Sequence, residues 1–163
     1  MFEAMRGSSN SGFTIIELVA VIIVIGILAA VAAPRFASQS GFDQRYFVDD
    51  IVSGARYARQ FAVSKGCYTR ISLTTTDFSL QRDDDCDGSA FNFTSDILRP
   101  DDSVSAYTLD GAPAGTVAGT VVFDPQGRAG DIVASEFVVF AAAQTLTVGT
   151  STVDVYGETG FVR

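Results

Sequence analysis

The sixteen residues 18–33 carry no polar side chain, and Glu17 stands directly before them. Counted from Phe13, the stretch is 21 residues long. As a helix it would span about 31 Å, close to the hydrocarbon thickness of a bilayer. A charge within a membrane-length segment costs roughly 2.5–3.5 kcal/mol on insertion scales, so it calls for a partner and a role. Near the interface, snorkelling softens that cost. Two plainer readings compete. Ala30-Val31-Ala32 at the end of an apolar run imitates a secretory signal peptide with its cleavage site. Its charged start is weak, however, with Arg6 set against Glu3, Glu17 is out of place in an apolar core, and Pro34 just beyond would hinder cleavage. A simple single-pass anchor accounts for the apolar run but not for Glu17 or for Gly12 before Phe13. Gly26 and Pro34 weaken the helix by about 1 and about 3 kcal/mol, so the segment between them is where it is expected to kink, melt or bend.

The chain has 163 residues and a formal charge of −8, with Lys65 its single lysine. That balance argues against binding a nucleic-acid backbone, which needs clustered Lys and Arg. Arg128 and Arg163 would be a weak patch. Histidine is absent, which removes the commonest general base and zinc ligand. No nucleophile elbow or phosphate-binding loop is recognisable, so no catalytic residues are expected.

Beyond the anchor, Ser40-Gly41 is a weak helix breaker. Phe47, Ile51, Ala55, Ala58 and Ala62 then recur at helical spacing. Asp49, Ser53, Arg56 and Gln60 fall opposite. This predicts an amphipathic helix to about residue 65, capped by Gly66, with its apolar face on a sheet. Residues 67–74 and 78–82 alternate as strands. A turn centred on Thr76-Asp77 would set Cys67 opposite Cys86. A disulfide there suits an even cysteine pair in an oxidising compartment; two reduced core thiols are the alternative. Asp83, Asp85, Asp87 and Gly88 match the opening of an EF-hand loop. Thr94 stands where the last ligand should be Glu, and a strand flanks the loop, so a solvated acidic turn is the favoured reading, with a non-EF calcium site the other. A strand near 104–109 and further short strands in the runs 119–128, 137–141, 145–148, 152–156 and 160–163 indicate antiparallel sheet. The fold class is α+β: a long N-terminal helix, half transmembrane and half amphipathic, packed on an antiparallel β head.

The polar leader ending in Gly12, then Phe13, with Glu17 as fifth residue and the apolar helix after it, resembles the class III signal of type IV pilins and type II secretion pseudopilins. The resemblance implies cleavage between Gly12 and Phe13 by a prepilin peptidase, N-methylation of Phe13, and pairing of Glu17 with the Phe amine of a neighbouring subunit. It divides the chain into a leader (1–12), a transmembrane and filament-core helix (13–34) and a periplasmic pilin-like head (35–163). The leader departs from the common pattern by having Ser11 where Lys or Arg often precedes the glycine. Val122-Phe-Asp-Pro-Gln-Gly-Arg128 and Tyr156-Gly-Glu-Thr-Gly-Phe-Val-Arg163 are similar to the GspH/FimT-type minor pilin head, and the cysteine spacing to minor pilins of the MSHA system. The implied role is structural, in a pilus or pseudopilus. The implied partners are other pilin subunits, the peptidase and an inner-membrane assembly platform. The chain would sit in the inner membrane with a periplasmic head, then in the filament. An adhesive or DNA-binding tip subunit is the alternative.

Overall fold

The computed structural model describes residues 14–36, 39–88 and 90–163, with side chains for all of these except 30–41. The chain divides into two units, the first ending at Ser40 and the second Gly41–Arg163. In the first, α1 (Ile15–Phe36) is one helix. It runs unbroken through Gly26 and Pro34. Pro34 stands two residues from the helix end, so its missing N–H takes one bond from the last turn of the ladder. The large hydrophobics over residues 15–29 are all exposed, from Val19 at 40% to Ile15 at 84%. Among the described residues, no helix is long and apolar enough to cross a membrane. Residues 15–29 would extend about 22 Å, and the expected span, 13–34, continues past them at both ends.

The helix α2 (Gln39–Lys65) includes Ser40-Gly41 rather than breaking there. One glycine costs about 1 kcal/mol in a helix, little against a stripe that packs for about four turns. Phe47, Ile51, Ala55, Ala58 and Ala62 are each at most 3% exposed. Between them, a Cβ on Gly54 would stand 3.0 Å from the rings of Phe78 and Tyr107. Small residues thus let the helix lie close on the sheet. Gly66 ends it at φ +69°, its N–H donating to the Ala62 carbonyl at 2.9 Å.

Among the described residues nine strands follow: β1 (Thr69–Leu73), β2 (Asp77–Arg82), β3 (Ser95–Asp96), β4 (Thr108–Asp110), β5 (Gly119–Phe123), β6 (Ala129–Val133), β7 (Glu136–Val139), β8 (Gln144–Val148) and β9 (Ser151–Val155). Seven form a sheet ordered β3-β2-β1-β5-β6-β7, with β4 also on β2; β8 and β9 pair separately. All pairings are antiparallel. Ile71, Leu73, Phe78, Leu80, Val121 and Phe123 form the core beneath α2. Thr69, buried among them, donates its hydroxyl to the Ala58 carbonyl at 3.1 Å. At its other end α2 holds the β8–β9 hairpin through Gln44, which donates to the Thr150 and Ser151 hydroxyls at 2.8 and 3.0 Å. Asp50 on α2 accepts from the Tyr107 hydroxyl at 3.0 Å and lies 3.7 Å from Arg99.

The fold is the expected α+β arrangement, with three differences. Thr69 pairs with Arg82 and Leu73 with Phe78, so the hairpin turn centres on Thr75-Thr76, one residue earlier than expected. Residues 160–163 form no strand but one bridge, Val162 to Val155. The sheet also gains β3 and β6, which alternation did not indicate.

Candidate assembly helix and head loops

Of the processing residues, Gly12 and Phe13 lie outside the described residues. Glu17 is exposed near the start of α1, and its backbone N–H lies at the helix cap. The Thr14 carbonyl accepts the N–H of Glu17 at 3.1 Å and of Leu18 at 3.2 Å, and the Thr14 hydroxyl oxygen also accepts the Glu17 N–H at 3.3 Å. Thr14 is therefore the N-cap, and Glu17 occupies the third helical position. Thr-x-x-Glu is the capping-box spacing. A carboxylate in the first turn is also favoured by the helix dipole. The pattern was present in the sequence as Thr14-Ile15-Ile16-Glu17.

Cys67 and Cys86 form a disulfide with Cα atoms 4.4 Å apart. They meet without being ladder partners. The ladder continues past β1 and β2 only to the Asp83 N–H donating to the Tyr68 carbonyl at 2.9 Å. Asp84 and Asp85 then carry the chain round, and Cys86 takes a φ of +59° to turn back. The acidic turn that results is not simply solvated. Asp83 is fully buried. Its Oδ1 accepts the Asn92 N–H at 2.9 Å, while Oδ2 has no hydrogen-bond partner. Burial pushes its pKa up and Asp85 adds to this, against the N–H groups of Asn92 and Gly88. Asp84 points elsewhere: the Thr94 hydroxyl donates to its Oδ2 at 2.5 Å, and with Ser95 holds its pKa down. The Asp87 N–H donates to Asp85 Oδ1 at 3.4 Å. Among the described residues, no three Asp, Glu, His or Cys side chains converge as a metal-holding group.

The two head motifs come together against α2. Asp124, fully buried, organises the turn between β5 and β6. Its Oδ1 accepts the N–H groups of Gln126 and Arg128 at 3.0 and 2.8 Å, and its Oδ2 takes both the Arg128 Nε at 2.7 Å and Nη2 at 2.6 Å. Arg59 on α2 donates to the Gly127 carbonyl at 3.0 Å, and Arg56 to the Val162 carbonyl at 3.1 Å. Gly160, at φ +56°, passes so close that a Cβ would collide with the Gly127 carbonyl. Arg163 lies 3.7 Å from Asp154 and over the Tyr156 ring. The two arginines weighed as a phosphate patch are thus both paired within the head.

An amphipathic helix laid on an antiparallel sheet, following a separate exposed apolar helix, defines a pilin-like class of protein. Comparison with known families agrees. The model of the prokaryotic N-terminal methylation motif matches residues 7–33, and that of the type II transport protein GspH matches residues 48–155. The second match covers more than half of the chain, and the chain belongs to the GspH family. No curated protein and no solved structure matches. The chain is a minor pilin or pseudopilin subunit, of a family that is structural rather than catalytic.

Proposed function

We propose that this subunit is cut by prepilin peptidase between Gly12 and Phe13, N-methylated on Phe13, and held in the inner membrane by residues 13–34 with its head in the periplasm. An assembly platform then draws it into a type II secretion or type IV pilus-like filament beside other pilins. The exposed apolar face of α1 becomes a helix–helix contact there, and Glu17 pairs with the Phe13 amine of a neighbour. Such a pair fixes register more reliably than it adds stability. The observation that carries this reading is one carboxylate, Glu17, at the head of an apolar run whose side chains over residues 15–29 are all exposed, within the residues matched by the methylation motif.

Mass spectrometry of the protein recovered from membranes tests the processing. The expected mature N-terminus is methylated Phe13, and Gly12→Val is expected to leave the precursor uncut. A mature N-terminus near Ala33 or Pro34 would refute the reading, because a signal peptidase would then be removing the helix.

A further inference from the structure

The loop 83–88 holds more unneutralised oxygen than a surface turn needs. Asp83 is fully buried, and its Oδ2 has no partner. A carboxylate oxygen buried without a partner costs the full desolvation of the group. The carboxyl of Asp85 stands close to it and disfavours the charged form, by repulsion and by a side-chain hydrogen bond to the protonated form. The neighbouring Arg82 does not relieve it. Arg82 directs one guanidinium nitrogen at the Asp84 carbonyl, 3.5 Å away, and at Cys86 Sγ, 3.7 Å away. Among the described residues, the ion pairs are those of Arg99, Arg128 and Arg163, so Arg82 pairs with neither Asp83 nor Asp85. The loop is also prevented from swinging Asp83 out to water. Its start is held by the ladder bond to Tyr68, and its middle by the Cys67–Cys86 disulfide.

We propose that Asp83 and Asp85 together hold a hard divalent cation, calcium by preference. Calcium accepts six to eight oxygens in flexible geometry and takes backbone carbonyls and water alongside carboxylates. Two carboxylates therefore suffice where a third does not converge. Magnesium, which demands near-ideal octahedral geometry, suits an irregular turn less well. With few charged ligands, the affinity falls in the weak range of extracellular calcium modules, on the order of 10⁻⁴–10⁻³ M. The proposal does not depend on filament assembly.

The test uses full-length protein in detergent, stripped with EGTA and titrated with calcium chloride while the melting temperature is followed. A saturable rise is expected in the wild type, a smaller one with magnesium, and none in Asp83→Asn or Asp85→Asn. Asp83→Asn keeps an oxygen to accept the Asn92 N–H, and exposed Asp85 can change without loss of packing. Terbium supplies a second readout. The Tyr68 ring packs against the loop, where a Cβ on Gly88 would stand 2.8 Å from it, so terbium emission excited through tyrosine is expected to be displaced by calcium and lost in both variants. A melting temperature unmoved by calcium to about 10 mM, an order above the weak range, would overturn the proposal. So would an undiminished calcium response in Asp83→Asn. A wild type stabilised by acid but indifferent to calcium would assign the neutralising charge to a proton and overturn it as well.

Discussion

Replacing both cysteines by serine, Cys67→Ser with Cys86→Ser, removes a cross-link spanning 19 residues of sequence. For a closed loop of about 20 residues, the chain-entropy relation gives about 11 cal/mol/K, or about 3 kcal/mol at 25 °C. The position of the loop makes the full amount relevant to global stability. It encloses the β1–β2 hairpin, and β1 is bonded on its other edge to β5, so the main sheet does not come apart without opening it. In a protein of this size each kcal/mol moves the melting temperature by roughly 2–4 °C, and the expected drop is about 6–12 °C. Calorimetric melts of the full chain in detergent, with and without reductant, measure it. Reduced wild type should melt with the double variant, because the loss belongs to the unfolded chain rather than to a native contact. A drop below about 2 °C would refute the entropic argument. So would a double variant melting well below reduced wild type, since packing around buried Cys67 would then dominate.

Two further outcomes follow from the head. Ile51, fully buried where α2 meets the sheet, should lose about 2–5 kcal/mol as Ile51→Ala, read from denaturant melts; a loss under about 1 kcal/mol would mean that α2 is not seated on the sheet. Asp102 accepts the N–H groups of Val104 and Ser105 at 2.9 and 3.0 Å, and the Ser105 hydroxyl above all, together with these N–H groups, holds its pKa down to about 2 from an ordinary 3.8. The folded value lies below the unfolded one, so its contribution is present above the ordinary carboxylate range and is lost as pH falls towards 2. A carboxyl-detected NMR titration should place its midpoint near 2, and a midpoint at the ordinary value would refute the capping role.

What the sequence made legible was what strong periodicity controls. The α2 stripe buries residue for residue as its spacing requires, because a 3.6-residue period with five apolar positions has one way to face a sheet. The β1–β2 hairpin was equally plain, but its register was not. Thr74, Thr76 and Asp77 bond among themselves through side chains, and that local chemistry moved the turn without changing which residues face inward. The strand β6 escaped notice because Gly130 and Asp131 are poor strand formers; it is held by the Asp124 turn and by β7. The acidic turn misled in the opposite sense. Alternating aspartates read as solvated, yet Asp83 is buried on the sheet face away from α2, where its Oδ1 accepts the Asn92 N–H of the following loop.

The capping box alters what a mutation at Glu17 can prove. Glu17→Val removes both the charge proposed to meet a neighbour's Phe13 amine and the polar side chain at the third position of α1. An assembly defect in that variant fits either loss. Glu17→Gln separates them, because glutamine serves in a capping box while carrying no charge. Thr14→Ala does the converse, removing the hydroxyl that accepts the Glu17 N–H at about 0.5–2 kcal/mol of helix stability while leaving the carboxylate. If the intersubunit ion pair governs assembly, Glu17→Gln should fail to enter filaments nearly as completely as Glu17→Val, and Thr14→Ala should enter them. If helix nucleation governs, the order reverses. Filament incorporation of the three variants, each first shown by mass spectrometry to be cut and methylated, decides between them, and normal incorporation of Glu17→Gln would refute the pairing.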